Sequence, residues 1–127
     1  MRQDASQLFG DAHVRRYRET DGEHGHDWRG APILLLTTTG RRSGRERTHA
    51  LIYGRDGEDY LVVASKGGSD TPPAWYVNLR ANPEVEVQVL ADRFRARARL
   101  ATPEEKPRMW REMVGHWPPY DKYQQRT

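Results

Sequence analysis

The chain has 127 residues, which is the size of one domain, and its net charge is only +3 although 31% of its residues are charged. Hydrophobic residues make up 35%, but four Trp and six Tyr are present, so we expect a folded domain with a small core rather than a disordered chain. The absence of cysteine excludes disulfides, thiol nucleophiles, zinc ribbons and iron–sulfur clusters. No apolar run approaches the ~20 residues of a membrane span, and no apolar signal segment is seen, so a cytoplasmic protein is predicted.

Residues 1–30 are predicted to form an N-terminal helix and loop extension to a domain at residues 31–127. The helix is expected around residues 5–18, with Phe9, Ala12 and Tyr17 on one side. The acidic and histidine-rich stretch 21–27 is predicted as a loop.

From residue 31 the pattern predicts β-strands. Apolar and β-branched runs predict strands at residues 33–39, 48–53 and 60–65, with a hairpin turn at 55–57. Two loops rich in glycine follow the first and third strands, at residues 40–47 and 66–71. Pro72 and Pro73 open a short helix whose apolar side carries Trp75 and Leu79, and Pro83 stops it.

Residues 84–100 alternate between apolar and charged side chains, which predicts a hairpin. A turn at Ala91 and Asp92 would place Val89 opposite Phe94 and Val87 opposite Ala96. The same register would set Glu86 opposite Arg97 and Glu84 opposite Arg99.

A final helix is predicted from Thr102, with Pro103 as its first residue and Glu105 as capping-box partner. Gly115 would end this helix, and Pro107 sits early enough to kink it. The fold class is therefore α+β, mainly β: a small, closed or partly closed antiparallel barrel with two to three short helices.

Residues 40–47 hold the first candidate site, because Arg41, Arg42, Arg45 and Arg47 lie there beside Ser43 and two glycines. Arginine forks and backbone N–H groups suit a phosphate or polycarboxylate. The alternative is a hairpin turn whose arginines only solvate it.

Three further segments are candidates, each with a structural alternative. Ser65 and Lys66 precede two glycines and could meet a ligand, or belong to a flexible loop. Trp75 could contact a cofactor or fill the core. The aromatic residues Trp117, Tyr120 and Tyr123 could pack on the core or cover an apolar ligand.

Other classes of function have little support. The arginines at 93–99 fit a strand surface paired with glutamates better than any nucleic-acid signature, so no nucleic-acid partner is expected. His24 and His26 match no metal-ligand spacing, so no metal is predicted. No Ser-His-Asp set is recognisable, but a protein that binds a reactive cofactor does not need one.

Three segments together resemble the deazaflavin-dependent nitroreductase family. They are LLTTTGRRSGRERTHALIY, VVASKGGSDTPPAWYVNLRANPEVEVQV and YDKYQQRT. The resemblance covers residues 31–127 and implies a split β-barrel related to FMN-binding proteins, with coenzyme F420 as the cofactor and FMN as the alternative. It implies an enzyme that transfers a hydride from the reduced coenzyme to a quinone, nitro or enone acceptor. Other open functions are a non-catalytic binder of an anionic cofactor and an FMN-dependent oxidase on the same fold.

The resemblance also assigns residues. It implies that the coenzyme contacts the following residues: Arg41, Arg42, Ser43, Arg47, Thr48, His49, Ala50, Leu51, Ile52, Val63, Ala64, Ser65, Lys66, Ala74, Trp75, Tyr76, Val77, Asn78 and Tyr120. It implies catalytic roles for Ser65, Tyr120 and Tyr123, and a substrate surface at Ile52, Trp117, Tyr120 and Tyr123. Ile52 stands where nitro-reducing relatives carry a tyrosine, which favours quinones or enones over nitroimidazoles. A lipophilic acceptor would favour loose peripheral association with a membrane, and the protein is expected to be a monomer or homodimer.

Overall fold

The computed structural model describes residues 10–28, 30–40, 44–64 and 73–118. Along these ranges the elements are α1 (Gly10–Thr20), β1 (Asp27–Trp28), β2 (Ala31–Thr39), β3 (Glu46–Ile52), β4 (Gly54–Asp56), β5 (Asp59–Leu61), α2 (Ala74–Ala81), β6 (Glu84–Val89), β7 (Asp92–Arg97) and α3 (Lys106–His116). Within the described ranges no helix is long and apolar enough to span a membrane.

Five strands form one antiparallel sheet and two form a separate ribbon. The sheet runs β1-β2-β6-β7, with β3 also paired to β2, and β4 pairs with β5. The predicted class, α+β with a mainly antiparallel sheet and short helices, is confirmed. The third predicted strand was too long, since β5 ends at Leu61.

The central strand β2 is buried on both faces, which explains its continuous apolar sequence. Leu34 and Leu36 face a core that contains Trp75 of α2. Ile33 and Leu35 face a second core, formed with Val14 and Tyr17 of α1. Helix α1 therefore covers the β2 and β3 part of one face of the sheet.

The apolar side of α1 differs from the predicted one. Ala12 is exposed, and the buried side chains are His13, Val14 and Tyr17. Phe9 lies outside the described residues. His13 is buried because its ring nitrogen Nε2 lies 2.7 Å from the carbonyl oxygen of Gly25, which supplies a hydrogen-bond partner.

The register predicted for the β6–β7 hairpin is wrong by two residues. Val87 pairs with Phe94, and Glu84 pairs with Arg97, because the turn is at Leu90 and Ala91. Leu90 adopts φ +56°, and its N–H donates to the Tyr17 hydroxyl at 2.7 Å. This contact with α1 fixes the turn one residue earlier than the local sequence suggested.

The start of α3 retains the predicted capping box. Glu105 N–H donates to Thr102 Oγ1 at 3.2 Å, and Thr102 N–H donates to Glu105 Oε1 at 3.0 Å. The helix itself begins at Lys106, so Pro107 lies in the first turn and does not interrupt a bonded helix. It ends at His116, one residue beyond the predicted Gly115.

Candidate functional site

The β2–β3 hairpin carries the arginine loop (residues 40–47). Gly40 N–H donates to the Arg45 carbonyl at 2.7 Å and Gly44 N–H donates to the Gly40 carbonyl at 3.0 Å, so the two described ends of the loop are bonded to each other. Gly44 adopts φ +68°, a conformation that favours glycine. Arg45 and Arg47 are exposed, while Arg41, Arg42 and Ser43 lie outside the described residues.

Strand β3 divides its residues between two faces. Arg47, His49 and Leu51 pair with Thr38, Leu36 and Leu34 respectively, and paired residues share a face. This face also meets α2, because Leu34, Leu36 and Trp75 form one core. We call it the α2 face.

The remaining residues of the stretch, Thr48, Ala50 and Ile52, lie on the opposite face, towards α1. Thr48 Oγ1 accepts from Arg18 of α1 at 2.9 Å, and Ala50 and Ile52 pack against the core that contains Tyr17. A ligand on the α2 face would therefore meet these three residues through their main chain.

The outer edge of β3 is open among the described residues, since β3 pairs only with β2. On this strand His49 Nδ1 is buried and has no hydrogen-bond partner within the described ranges. Burial is the main cause that lowers the pKa of His49, with Arg47 lowering it further and Asp11 opposing. His49 is thus a neutral ring that still needs a polar partner, as a bound ligand would provide.

Helix α2 is fixed beside this strand by one hydrogen bond and one buried ring. Asn78 Nδ2 donates to Thr38 Oγ1 at 3.4 Å, and Trp75 is buried in the core. Tyr76 stands edge-on to Trp75 at 6.5 Å and receives a hydrogen bond from Arg80 at 3.1 Å. The predicted wall of Ala74, Trp75, Tyr76, Val77 and Asn78 is therefore a single helix next to the hairpin.

A cavity of about 760 Å³ extends from this wall between the sheet, α2 and α3. Val63, Ala64, Trp75 and Tyr76, all predicted cofactor contacts, contribute to its lining. Ser65 and Lys66, which follow Ala64, lie outside the described residues. We call this space the apolar cavity.

Trp117 is the one tail residue of the predicted substrate surface within the described ranges. Its ring packs on Trp28 with centroids 5.1 Å apart. Trp28 in turn packs against the core that Ile52 joins. Tyr120 and Tyr123 lie outside the described residues.

Sequence reasoning missed Trp28, and it also missed the contact between His26 Nε2 and the Tyr53 hydroxyl at 2.9 Å. Trp28, His26 and Tyr53 lie at the end of the β2–β3 hairpin away from the arginine loop, since Trp28 pairs with Ala31 and Tyr53 N–H donates to the Pro32 carbonyl. The resemblance began at residue 31, so it gave no signal for the N-terminal partners.

The donors present fit a long anionic cofactor with a flat ring. The exposed Arg45 and Arg47 stand at the start of β3. His49, which has no hydrogen-bond partner among the described residues, lies in the middle of the strand. Among the described residues no cluster of three or more metal-ligating side chains occurs.

The fold and this arrangement define a cofactor-binding α+β protein with an antiparallel barrel-type sheet. Residues 11–127 match the F420H(2)-dependent quinone reductase family, and the chain belongs to that family. This match confirms the expected enzyme class, an F420-dependent reductase, and the expected cofactor, coenzyme F420.

Individual relatives and solved structures agree with this family assignment. The chain is 44% identical over 119 residues to the F420H(2)-dependent quinone reductase Rv1261c of Mycobacterium tuberculosis, covering 91% of this chain and 80% of the relative. It resembles the solved structure of an F420-H2 dependent reductase (FDR-A) with a TM-score of 0.70 and 41% identity, covering 76% of this chain and 85% of the other. A second solved structure, described as a domain-swapped dimer, gives a TM-score of 0.72 and 39% identity, covering 90% of this chain and 89% of the other.

Proposed function

We propose that this chain reduces a quinone with coenzyme F420H2, in a site on the α2 face of the β2–β3 hairpin. The observation that carries the proposal is the chain of contacts across that face. Arg47 lies opposite Thr38, and Thr38 accepts the hydrogen bond of Asn78. An anion-binding loop and an aromatic helix are thus held side by side on one rigid sheet.

The arginine loop would bind the anionic tail of the coenzyme. Arg41, Arg42 and Arg47 supply forked donors, and Ser43 supplies a hydroxyl. His49, neutral and without a partner among the described residues, would take a hydrogen bond part-way along the cofactor. These contacts orient the cofactor along β3.

The ring of the coenzyme would lie near Val63, Ala64 and the helix wall that begins at Ala74. When bound, the reduced coenzyme supplies a hydride. Trp75 excludes water, because its buried ring closes the core side of the wall. Lys66 would add a cation near the phosphate.

The acceptor surface would be formed by Trp117, Tyr120 and Tyr123. Ile52, whose side chain faces α1, would contribute to this surface through its main chain. A hydroxyl of Ser65, Tyr120 or Tyr123 would donate a hydrogen bond to the quinone oxygen on which negative charge develops. Quinone reduction needs one proton besides the hydride, and the same hydroxyls would deliver it.

Coenzyme binding is tested by titrating the protein with oxidised F420 and following fluorescence. We expect micromolar or tighter binding, and Arg42→Ala should weaken it about tenfold or more because one forked pair is lost. Arg111→Ala removes an exposed arginine of α3 and should leave the Kd unchanged. Binding of FMN in place of F420, or an equal effect of both variants, would contradict the proposal.

The proposal also covers the assembly of the protein, its location in the cell and its contact with membranes. We infer a homodimer, supported by the domain-swapped dimer at 39% identity. Light scattering at two protein concentrations measures the mass. Location in the cytoplasm stays a prediction. Loose membrane association also stays a prediction, and co-sedimentation with vesicles tests it.

A further inference from the structure

His49 carries a buried polar atom that lacks a hydrogen-bond partner. Its ring nitrogen Nδ1 is shielded from water, and none of the described residues bonds to it. Native proteins leave few buried polar atoms in this state, and each one calls for an explanation. On a strand whose outer edge is open among the described residues, the simplest explanation is a partner that arrives with a ligand.

The ring of His49 lies close to the place where the arginine loop would bind an anion. Arg47 is two residues earlier on the same strand and the same face, and the Cα atoms of such a pair are about 7 Å apart. Arg47 is exposed, so its guanidinium group is open to a ligand. A phosphate or carboxylate group that pairs with Arg47 can therefore also reach the His49 ring.

The charges around His49 keep its ring neutral while the site is free. Burial is the main cause that lowers the pKa of His49, Asp11 of α1 opposes this, and Arg47 lowers the pKa further. Its neighbour on β2 is Leu36, which has no charge. Helix α2 carries one charged residue, Arg80, and its guanidinium group is bonded to a tyrosine hydroxyl of the same helix.

A bound anion changes this balance in favour of the protonated ring. The anion pairs with Arg47 and so neutralises the cation that disfavours a charge on His49. It also places negative charge beside the ring, which favours the imidazolium form. A protonated imidazole has two N–H donors, so Nδ1 gains a proton to donate to the anion. The pKa of His49 is therefore higher with the anion bound than without it.

We propose that this chain binds coenzyme F420 together with one proton, which His49 takes up from water as its ring pairs with the anionic tail. This inference rests on the proposed function and deepens it, because it makes one residue responsible for a pH-dependent coenzyme affinity. At pH 8.5 the ring is neutral in both states and adds nothing to the affinity. The affinity rises as the pH falls through the pKa of the complex, and it levels off below the pKa of the free protein.

The test compares coenzyme F420 with the deazaflavin that has the same ring and ribityl chain but no phosphodiester or glutamyl tail. Fluorescence titration gives the Kd of each compound from pH 5.5 to pH 8.5, and the ratio of the two Kd values cancels the titration of the shared ring. We expect the preference for F420 to increase about tenfold or more from pH 8.5 to pH 5.5, as one paired charge would give.

Two histidine variants show which ring takes up the proton. His49→Gln keeps a side chain that can bond to the anion but does not titrate, so its preference for F420 should be the same at every pH. His116→Gln removes another half-buried histidine, on α3, and should retain the pH dependence of the wild type.

Proton uptake can also be measured on the wild type alone, which keeps the test decisive if His49→Gln folds poorly. Isothermal titration at pH 6.5 in two buffers with different ionisation enthalpies gives the number of protons bound with each ligand. We expect more protons to be taken up with coenzyme F420 than with the tail-free compound.

The outcomes separate this inference from the proposed function. If F420 binds with a preference that is constant from pH 5.5 to pH 8.5 and with no additional proton uptake, His49 stays neutral and the inference is wrong, while the proposed coenzyme site stands. Loss of the pH dependence in His116→Gln as well as in His49→Gln would also overturn the inference. Failure of F420 to bind at any pH would instead contradict the proposed function.

Discussion

Tyr17 joins three elements through one hydroxyl group. Its side chain is 0% exposed, and its hydroxyl accepts from Leu90 N–H at 2.7 Å and donates to the Ile33 carbonyl at 3.0 Å. Burial raises the pKa of Tyr17 to about 12, although the Leu90 N–H opposes this, so the donor proton is retained at neutral pH. The helix α1, the strand β2 and the β6–β7 turn therefore meet at a single side chain.

Tyr17→Phe should lower the free energy of unfolding by about 1–3 kcal/mol, because Leu90 N–H would lose its partner in a buried place. Urea unfolding measures the change. Tyr76→Phe removes a hydroxyl bonded to the exposed Arg80 and should cost no more than about 0.5 kcal/mol. Equal losses in both variants would contradict the role assigned to Tyr17.

At the scale of elements, α3 is attached to the rest of the molecule by ionic and backbone contacts at both ends. Arg99 donates to both carboxylate oxygens of Glu105, at 2.7 and 2.8 Å. Near the other end Glu112 accepts from the backbone N–H of Arg55 at 2.9 Å. Gly54 allows this approach, since a Cβ there would lie 2.8 Å from the side chains of Glu112 and Met113.

The attachment at Glu105 should depend on pH. The hydrogen bonds from Arg99, and next the Thr102 N–H, lower the pKa of Glu105 from 4.5 to about 2. The ionised carboxylate therefore stabilises the fold above about pH 4.5, and this contribution is lost as the pH falls towards 2. We expect the wild type to exceed Glu105→Gln in Tm at pH 6, and the difference to vanish near pH 2.

Thermal unfolding of both proteins at several pH values measures that difference. Glu104→Gln, at an exposed neighbour, should match the wild type throughout. A Tm difference for Glu105→Gln that stays constant from pH 6 to pH 2 would show that the carboxylate charge is not what attaches α3.

Local signals in the sequence predicted elements well and contacts between elements poorly. The capping box at Thr102 and Glu105 was predicted because both partners lie within four residues. The β6–β7 register was not, because the turn depends on Tyr17, 73 residues away from Leu90. The division of β3 between two faces was also missed, since Thr48 takes its partner from α1.

At the scale of the whole molecule, the sequence predicted the candidate site as separate motifs, and the sheet brings these motifs together. The arginine loop and the residues of α2 are more than 20 positions apart, and Thr38 brings them together through Arg47 and Asn78. Spacing along the chain carried no information on the apolar cavity, because its walls come from β5, α2, β7 and α3. Such a space becomes visible only when packed elements leave it between them.

Helix α1, which lies in the predicted N-terminal extension, covers the β2 and β3 part of one face of the sheet that carries the site. Ile33 and Leu35 of β2 are buried by Val14 and Tyr17 of α1. Each such side chain contributes about 1.5–3 kcal/mol on burial. The sum for Val14, Tyr17, Ile33 and Leu35 is therefore similar in size to a typical free energy of unfolding of about 5–15 kcal/mol. The sheet is therefore not expected to stand without α1.

A chain that begins at Ala31 should accordingly show no cooperative thermal transition above 25 °C, as measured by circular dichroism. It should bind a dye specific for exposed apolar surface, because the α1 face of β2 and β3 would be open to water. A synthetic peptide of residues 1–30, added in excess, should restore the transition, and the Tm should rise as the peptide concentration is raised, because the peptide binds only the folded sheet. If the shortened chain instead unfolded cooperatively within about 5 °C of the full chain, residues 31–127 would be an independent domain and α1 an attachment to it.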